Sequence, residues 1–150
     1  MTETPLEPFM KDLGVYGIAC EYEKDFDISN WAVFMAFDGD KPIGGASVVS
    51  RTKGVHMLSG RDDLAVLWDF RVDNDYRKQG IGQKLFDMAV KWSKEQCLVQ
   101  MKIECQSNNV AACKFYAKQG AELSIIDEYA YYHLLEVRSD VQFIWFLDLN

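Results

Sequence analysis

The sequence is poor in basic residues, and it lacks the patterns that mark secretion or membrane insertion. Its 16 Lys and Arg are outnumbered by 23 Asp and Glu, which gives a formal net charge of −7. Because contacts to phosphate backbones need a basic face, this balance excludes nucleic acid as the main partner. No apolar run approaches the ~20 residues that cross a bilayer, and Met1 to Pro5 contain neither the basic nor the apolar part of a secretory signal. We therefore expect a cytoplasmic protein without a membrane partner.

Cysteine is present, but never at a metal-binding or redox spacing. The residues are Cys20, Cys97, Cys105 and Cys113, with no C-x-x-C pair and no histidine at ligand spacing. Neither His56 nor His133 is placed to suggest a partner for a nucleophilic thiol. We therefore expect reduced, mostly buried thiols, no catalytic cysteine and no bound metal.

Apolar and aromatic residues, by contrast, are plentiful. They make up 49% and 13% of the 150 residues, which argues against disorder and suffices for one core. No repeat, low-complexity tract or linker interrupts the chain. We therefore expect a single domain over residues 1–150.

The order of the periodic segments predicts a mixed sheet with helices packed on it, an α/β (α+β) class rather than an all-parallel doubly wound sheet. Hairpin chemistry at residues 38–41 joins two of the strands, and Gly44-Gly45 predicts a bulge or a close backbone approach. Residues 24–30 and 51–63 are expected to be loops. The predicted strands are 15–22, 31–37, 42–50, 65–72, 98–105, 121–126 and 141–147, with 129–135 either continuing the sixth or forming another.

Two helices are predicted. Apolar residues recur at helical spacing between residues 81 and 95, on a face formed by Ile81, Leu85, Met88, Ala89 and Trp92. A second helix is expected over residues 109–119, with Ser107 or Asn108 as its N-cap and Gly120 just past its end.

A glycine-containing loop leads from a predicted strand into the first predicted helix. Such a junction leaves free backbone N–H groups and the positive end of the helix dipole pointing at one spot. Gly80 and Gly82 have no Cβ, so a phosphate can come close, and Arg77 and Lys78 add positive charge. The spacing fits neither a Walker A loop nor a Rossmann fingerprint, whose third small residue is replaced by Leu85. The loop is therefore either a phosphate site of another class or an ordinary strand-to-helix turn.

A second motif decides between these alternatives. The loop reads R-x-x-G-x-G over residues 77–82, and downstream the segment 109–121 reads N-x-x-A-x-x-x-Y followed by Gly120-Ala121. Together, at this separation, they resemble the GNAT-type N-acetyltransferases, which hold acetyl-coenzyme A. The family usually has Phe where Ala121 stands, a departure that affects packing more than chemistry. The resemblance covers roughly residues 31–148.

The resemblance implies both a sheet and a cofactor site. The sheet would be largely antiparallel and twisted, with a central pair of splayed parallel strands, 65–72 and 98–105. The pantetheine arm of acetyl-coenzyme A would lie in the gap, and its pyrophosphate would lie over the N–H groups of the loop. No metal is implied. The implied cofactor-binding residues are Phe70, Arg71, Val72, Arg77, Lys78, Gln79, Gly80, Ile81, Gly82, Gln83, Asn109, Ala112 and Tyr116.

The implied reaction is direct acetyl transfer to a primary amine within a ternary complex. An alkyl amine has a pKa near ~10.4, so a carboxylate would take its proton. Asp69 is the first candidate base and Glu104 the second, and for each the alternative is a charge on a solvated face. Tyr116 is the candidate acid for the leaving thiolate, or else it only orients the sulfur. The N–H of Phe70 or Val72 would polarise the thioester carbonyl.

Within the family, the double Asn and the A-C-K-F-Y of residues 106–116 are similar to the streptothricin acetyltransferases. The acceptor implied is a small cationic amine such as a streptothricin-like antibiotic, with Asp127-Glu128 attracting it and Tyr129, Tyr131 and Tyr132 lining its pocket. Three alternatives stay open: a peptide or protein N-acetyltransferase, a non-catalytic acyl-coenzyme A-binding regulatory module, and a structural domain with a vestigial loop. The aromatic strand 141–147 could serve a homodimer interface.

Overall fold

The computed structural model describes residues 22–150. The strands are β1 (Trp31–Asp38), β2 (Lys41–Val49), β3 (Leu64–Val72), β4 (Gln100–Gln106), β5 (Glu122–Asp127) and β6 (Gln142–Asp148). The helices are α1 (Tyr22–Asp25), α2 (Ile81–Glu95) and α3 (Val110–Lys118), with 3-10 turns at Ile28–Asn30, His56–Leu58, Asn74–Tyr76 and Leu135–Val137. The predicted strand 15–22 lies outside the described residues except for Tyr22, which begins α1.

The described strands form one sheet of 6 strands in the order β1-β2-β3-β4-β6-β5. Every neighbouring pair is antiparallel except β3 and β4, which are parallel. This mixed, largely antiparallel sheet with a central parallel pair and flanking helices confirms the predicted fold class.

The parallel ladder between β3 and β4 is short. It runs from Leu64 opposite Gln100 to Leu67 opposite Ile103 and then ends. Beyond that point β3 stays paired with β2, and β4 stays paired with β6. The C-terminal halves of the two central strands therefore separate, and a gap opens in the middle of the sheet.

A β-bulge lies where the gap begins. On β2, Val48 faces Leu67 while the preceding Ser47 faces Asp69, so Trp68 is an extra residue in β3. A bulge bends and twists the strand that carries it. The bend follows directly after the last parallel pair, so it accounts for the departure of β3 from β4.

Helix α2 covers one face of the sheet. Leu85, Phe86 and Ala89 are fully buried, and Ile81, Met88 and Trp92 pack around them, so the predicted apolar face is confirmed. A Cβ on Gly44 would lie 3.2 Å from both the Arg71 carbonyl oxygen and Leu85 Cδ1. The predicted close approach at Gly44 is therefore confirmed. The β1–β2 register also shifts beside it, because Ala36 faces Gly44 while Phe37 faces Pro42, so Ile43 is an extra residue and the predicted bulge is confirmed as well.

The opposite face carries a second core. Val49, Val55, Leu58, Leu64 and Val66 are buried there. Four aromatic residues pack together beside them, with ring centroids 5.3–6.0 Å apart in five pairs: Tyr22, Phe26, Trp31 and Trp68. We call this second face the aromatic face.

Three local expectations were wrong. Residues 129–135 form turns and the start of a 3-10 turn rather than a strand, because they lie past the last β5–β6 pair, Asp127 opposite Gln142. Residues 24–30, expected as a loop, hold the end of α1 and a 3-10 turn capped by Asp27. The N-cap of α3 is Asn109 rather than Ser107 or Asn108, because its side chain reaches the amide of Ala112.

Across residues 22–150 there is no helix of the length and apolarity that a membrane span requires.

Candidate active site

The gap between β3 and β4 is the centre of a cleft of about 920 Å³. Its walls come from the free half of β3, the loop that follows it, the free half of β4, and α3. The cleft thus brings together residues of both sequence motifs, the loop 77–82 and the segment 109–121. The predicted site residues that line it are Asp69, Phe70, Arg71, Val72, Arg77, Lys78, Gly80, Ile81, Gly82, Gln83, Glu104, Asn109, Ala112 and Tyr116.

The loop after β3 presents unbonded backbone amides. Lys78 and Gly80 both adopt positive φ, of 63° and 80°, and Gly80 is the N-cap of α2. The first helical hydrogen bond of α2 runs from Lys84 N–H to the Gly80 carbonyl at 3.1 Å. Within the described part of the chain, no acceptor takes a hydrogen bond from the amides of residues 78–83. Free amides at a helix start form an anion site, which is suited to a diphosphate.

The two loop glycines differ in what an added Cβ would meet. A Cβ on Gly82 would lie 3.6 Å from Val72 Cγ2 and 3.7 Å from Phe70 Cζ, while a Cβ on Gly80 would meet no atom within 4 Å and so stand in the open cleft. Gln83 contributes to the cleft mainly through its backbone. Its side chain is bonded to Asp87 at 2.8 Å and, in a reciprocal pair of bonds at 2.7 and 2.8 Å, to Gln119, the residue that follows α3.

The side chains of β3 divide between the two faces of the sheet. Phe70 and Val72 pack against the core under α2. Because side chains alternate along a strand, Asp69 and Arg71 point to the aromatic face. There Arg71 Nε donates to Asp69 Oδ1 at 2.7 Å. Burial raises the pKa of Tyr22, and the nearby Asp69 carboxylate raises it further, which places Tyr22 beside this ion pair.

Tyr116 stands on the α2 side of the gap. Its ring packs among Phe70, Phe86 and Phe115, with centroids 5.8–6.4 Å away, and only 6% of the residue is exposed. Its hydroxyl makes no hydrogen bond to the described residues. Among those residues the only side-chain oxygen or nitrogen that is both buried and unpaired is Ser47 Oγ, so the Tyr116 hydroxyl is not buried and opens to the cleft. Burial, helped by the nearby Cys105, raises the pKa of Tyr116 well above its ordinary 10.0. The phenol therefore stays protonated at neutral pH and can donate.

Glu104 stands on the other side of the gap. Met101 and Ile103 of β4 are in the core under α2, so alternation turns Glu104 to the aromatic face. Its Oε1 accepts hydrogen bonds from Tyr131 Oη at 2.5 Å and from Gln142 Nε2 at 2.9 Å. Burial, together with the Glu104 carboxylate, raises the pKa of Tyr131, so that hydroxyl also keeps its proton.

Part of this second carboxylate site is predictable from the sequence. Tyr131 was expected near an acceptor pocket, and it lines the cleft. Its contact with Glu104 was not predicted, and neither was Gln142, because neither residue carries a motif. Tyr129 and Tyr132, expected with Tyr131, do not line the cleft. Their rings meet edge to face with centroids 6.2 Å apart, and both are exposed.

Ala112 and Asn109, at the start of α3, were both predicted to bind the cofactor, and Asn109 also has a structural role. Both residues line the cleft. Asn109 Oδ1, however, accepts from Ala112 N–H at 3.1 Å and so caps the helix. The oxygen of Asn109 thus already accepts one hydrogen bond, while its NH₂ group makes none to the described residues and is the freer part of the side chain to bond a cofactor.

Comparison with known proteins agrees with these features. The family model described as the acetyltransferase (GNAT) family matches residues 3–121. The chain is 31% identical over 110 residues to a streptothricin acetyltransferase of Escherichia coli, covering 73% of this chain and 63% of that protein. It is 29% identical over 92 residues to streptothricin acetyltransferase A of Bacillus subtilis, covering 61% of this chain and 53% of that protein. The chain thus spans less than two thirds of the length of these relatives.

A solved structure extends the likeness to three dimensions. It is a Bacillus anthracis protein described as a streptothricin acetyltransferase and crystallised with acetyl coenzyme A. The TM-score is 0.69 at 30% identity, over 81% of this chain and 64% of that one. The match of the family model over most of the chain, together with the splayed strands and the amide loop, shows that this chain belongs to the GNAT family of acetyltransferases.

Proposed function

We propose that this protein is an acetyl-coenzyme A-dependent N-acetyltransferase that acetylates a primary amine of a small cationic acceptor, such as a streptothricin-like antibiotic. The observation that carries the proposal is the conjunction of unbonded amides at residues 78–83 with a gap that opens in the sheet beside them. A diphosphate fits the first, and an extended pantetheine arm fits the second.

The cofactor would bind along the cleft. Its pyrophosphate would accept hydrogen bonds from the amides of the loop, with Arg77 and Lys78 adding charge. The pantetheine arm would lie beside Phe70, Arg71 and Val72, whose edge of β3 has left β4. The thioester would then reach the gap at the level of Tyr116.

The two proton transfers of the reaction take place on opposite sides of the gap. The amine nitrogen attacks the thioester carbonyl carbon from the aromatic face, where both carboxylates lie. The carbon–sulfur bond breaks toward the α2 side, and the Tyr116 hydroxyl gives its proton to the leaving thiolate. The proton of the amine passes to a carboxylate, so the products are an amide and coenzyme A thiol.

Of the two candidate bases, the contacts favour Glu104. Asp69 is held in an ion pair by Arg71 at 2.7 Å, whereas Glu104 has no cation within bonding distance among the described residues and is held by the neutral Tyr131 and Gln142. A carboxylate without a cationic partner can both attract an ammonium group and take its proton. This choice reverses the order in which the sequence ranked the two residues.

The acceptor class rests on charge and on the named relatives. The chain carries a formal charge of −7, and two carboxylates face the gap, so a cationic amine is attracted to it. The streptothricin acetyltransferases that the chain resembles are named for such an acceptor.

A thiol-release assay tests the proposal. The full chain is incubated with acetyl-coenzyme A and, in turn, streptothricin, other small cationic amines and a peptide with a free N-terminus. We expect thiol release with streptothricin, a loss of roughly 100-fold for Glu104→Gln and a smaller loss for Asp69→Asn. Release with the peptide alone would identify a peptide acetyltransferase. Binding of acetyl-coenzyme A without release for any amine would identify a non-catalytic module, and no binding would overturn both.

A further inference from the structure

Two cysteines meet in the wall of the cleft. Cys105 is on the free half of β4, and Cys113 is in α3 behind it, with the two Sγ atoms 3.7 Å apart. Cys105 lines the cleft and Cys113 does not. Both thiols are free and partly buried. The acetyl transfer described above uses neither of them, although the pair lies beside its centre.

The two cysteines lie close to Tyr116, the proposed proton donor to the leaving sulfur of coenzyme A. Cys105 and Tyr116 both line the cleft, and Cys113 packs with them in the core under α2, so the pair lies beside Tyr116. If Tyr116 protonates the leaving thiolate, the sulfur of coenzyme A comes within hydrogen-bond reach of that hydroxyl. The cofactor sulfur and Cys105 Sγ then share one end of the cleft. This step rests on the proposed function, since it uses the proposed position of the cofactor.

We propose that Cys105 and Cys113 form a thiol–disulfide exchange site whose oxidant is coenzyme A disulfide, bound by one half in the cofactor cleft. The Cys105 thiolate attacks the nearer sulfur of the disulfide, the sulfur–sulfur bond breaks, and one coenzyme A thiolate leaves. The product is a mixed disulfide of Cys105 and coenzyme A.

The second cysteine completes the exchange. The Cys113 thiolate attacks Cys105 Sγ, the mixed disulfide breaks, and the second coenzyme A thiolate leaves. In sum the two cysteine thiols are oxidised to one protein disulfide, coenzyme A disulfide is reduced to two coenzyme A thiols, and the two cysteine protons end on those thiols. The sulfurs must approach from 3.7 Å to the ~2.05 Å of a disulfide bond, so each moves less than one bond length.

The surroundings of Cys105 make the reaction selective. Trp145 Nε1 donates to Cys105 Sγ at 3.2 Å, which favours the thiolate, but burial outweighs it and raises the pKa of the thiol to about 11. Small oxidants in solution therefore find little thiolate at neutral pH. An oxidant that binds in the cleft gains proximity instead, and coenzyme A disulfide carries the diphosphate that the loop recognises.

Intact-mass spectrometry of the full reduced chain tests this site. With coenzyme A disulfide we expect the wild type to lose the mass of two hydrogen atoms, with the bond mapped to Cys105 and Cys113 by peptide analysis. Cys113→Ser should stop at the mixed disulfide and gain one coenzyme A, and Cys105→Ser should form neither product at this pair. Cys97→Ser is the matched control, since Cys97 is exposed and does not line the cleft; it should react like the wild type.

Three comparisons separate binding from general thiol reactivity. Glutathione disulfide at the same concentration should react at least about 10-fold more slowly at this pair, because it lacks the diphosphate. Excess acetyl-coenzyme A should slow the reaction with coenzyme A disulfide by competition. Below the pKa of Cys105 the rate should rise about 10-fold per pH unit, as the thiolate fraction does.

The proposal and the proposed function can fail separately. If acetyl-coenzyme A binds and is turned over, but coenzyme A disulfide leaves Cys105 and Cys113 reduced or modifies Cys97 first, the exchange site is overturned while the acetyltransferase stands. If glutathione disulfide reacts as fast, the pair is a general thiol site and the proposal is wrong. If acetyl-coenzyme A does not bind, both fall.

Discussion

At the residue scale, Tyr116 is held by rings rather than by its own hydroxyl. Its contacts are with Phe70, Phe86 and Phe115, and its hydroxyl faces the cleft. Tyr116→Phe should therefore leave the fold intact. We expect kcat to fall roughly 100-fold, with little change in the KM for acetyl-coenzyme A, because the acid acts on the leaving thiolate rather than on cofactor binding.

Steady-state kinetics checks this, with Tyr132→Phe as a control on an exposed ring outside the cleft. Because burial raises the pKa of Tyr116 above 10.0, the wild-type rate should not fall between about pH 7 and about pH 9 through loss of this proton. An unchanged kcat in Tyr116→Phe would remove the residue from the proton transfer and leave it a positioning role.

Gly80 and Gly39 allow backbone strain to be separated from cofactor binding. Both have positive φ, of 80° and 60°, and at both an added Cβ meets no atom within 4 Å. Gly80→Ala and Gly39→Ala should each destabilise the fold by about 1–2 kcal/mol. Only Gly80→Ala should weaken acetyl-coenzyme A binding, because its methyl group stands where the diphosphate approaches. Thermal unfolding and isothermal titration calorimetry measure the two effects, and equal affinities would contradict the assignment of the loop.

Site residues that belong to a sequence motif can be predicted, whereas site residues defined by a contact distant in sequence cannot. Gly80, Gly82 and Tyr116 stand in the two motifs that carry the family resemblance. The contact of Tyr131 with Glu104 spans 27 residues, and it depends on where an irregular segment turns, which no periodicity reports. The Arg71–Asp69 ion pair was not predicted either, although side chains two apart on a strand share a face, because alternation does not say that the two side chains bond each other.

At the element scale, the start of α3 is where capping and cofactor binding compete for one side chain. Asn109 accepts from Ala112 N–H at 3.1 Å. Asn109→Ala should lower stability by about 1 kcal/mol, while Asn109→Asp keeps the cap and loses the NH₂ group. We expect Asn109→Asp to retain the melting temperature of the wild type, whereas Asn109→Ala melts lower.

Cofactor affinity in the same pair of variants tells the two roles apart. If both variants bind acetyl-coenzyme A more weakly by a similar factor, the NH₂ group binds the cofactor as the family resemblance implies. If Asn109→Asp binds as the wild type does, the residue acts through the helix start alone. Asn108→Ala is the control, since among residues 22–150 its side chain bonds only Asp140, at 3.4 Å.

Helix α2 shows what the sequence determines at this scale, and residues 129–135 show what it does not. The apolar period and the glycine before it predict α2 over the residues it occupies, 81–95. Residues 129–135 are aromatic and apolar, which is typical of a strand, but β6 already pairs with β4 on one side and β5 on the other. Nothing in the local sequence reports that both edges of β6 are taken and that residues 129–135 turn instead of pairing.

At the scale of the whole molecule, the sheet separates the two halves of the reaction. Tyr116 and the amide loop belong to the α2 side, while Asp69 and Glu104 belong to the aromatic face. The gap between β3 and β4 is the passage between them. The family resemblance implied this splay, but its position at Leu67 depends on the bulge opposite Ser47, which alternation alone does not predict.

The homodimer and its interface on residues 141–147 stay predictions. Residues 142–147 lie in β6, an inner strand whose two edges are both paired, so this strand cannot join a second copy edge to edge. The described edge beside it is β5, where Leu123, Ile125 and Ile126 are exposed by 39%, 44% and 60%. Sedimentation velocity measures the outcome: a dimer supports the prediction, and a single species at 17.2 kDa contradicts it.

Amide hydrogen exchange of the full chain with and without acetyl-coenzyme A tests most directly whether the loop holds the cofactor. The amides of residues 78–83 have no acceptor within the described residues, so they should exchange fast in the free protein. With acetyl-coenzyme A bound, we expect them to be protected at least about 10-fold, together with amides of the free half of β3. Binding that leaves residues 78–83 as fast as before would contradict the account.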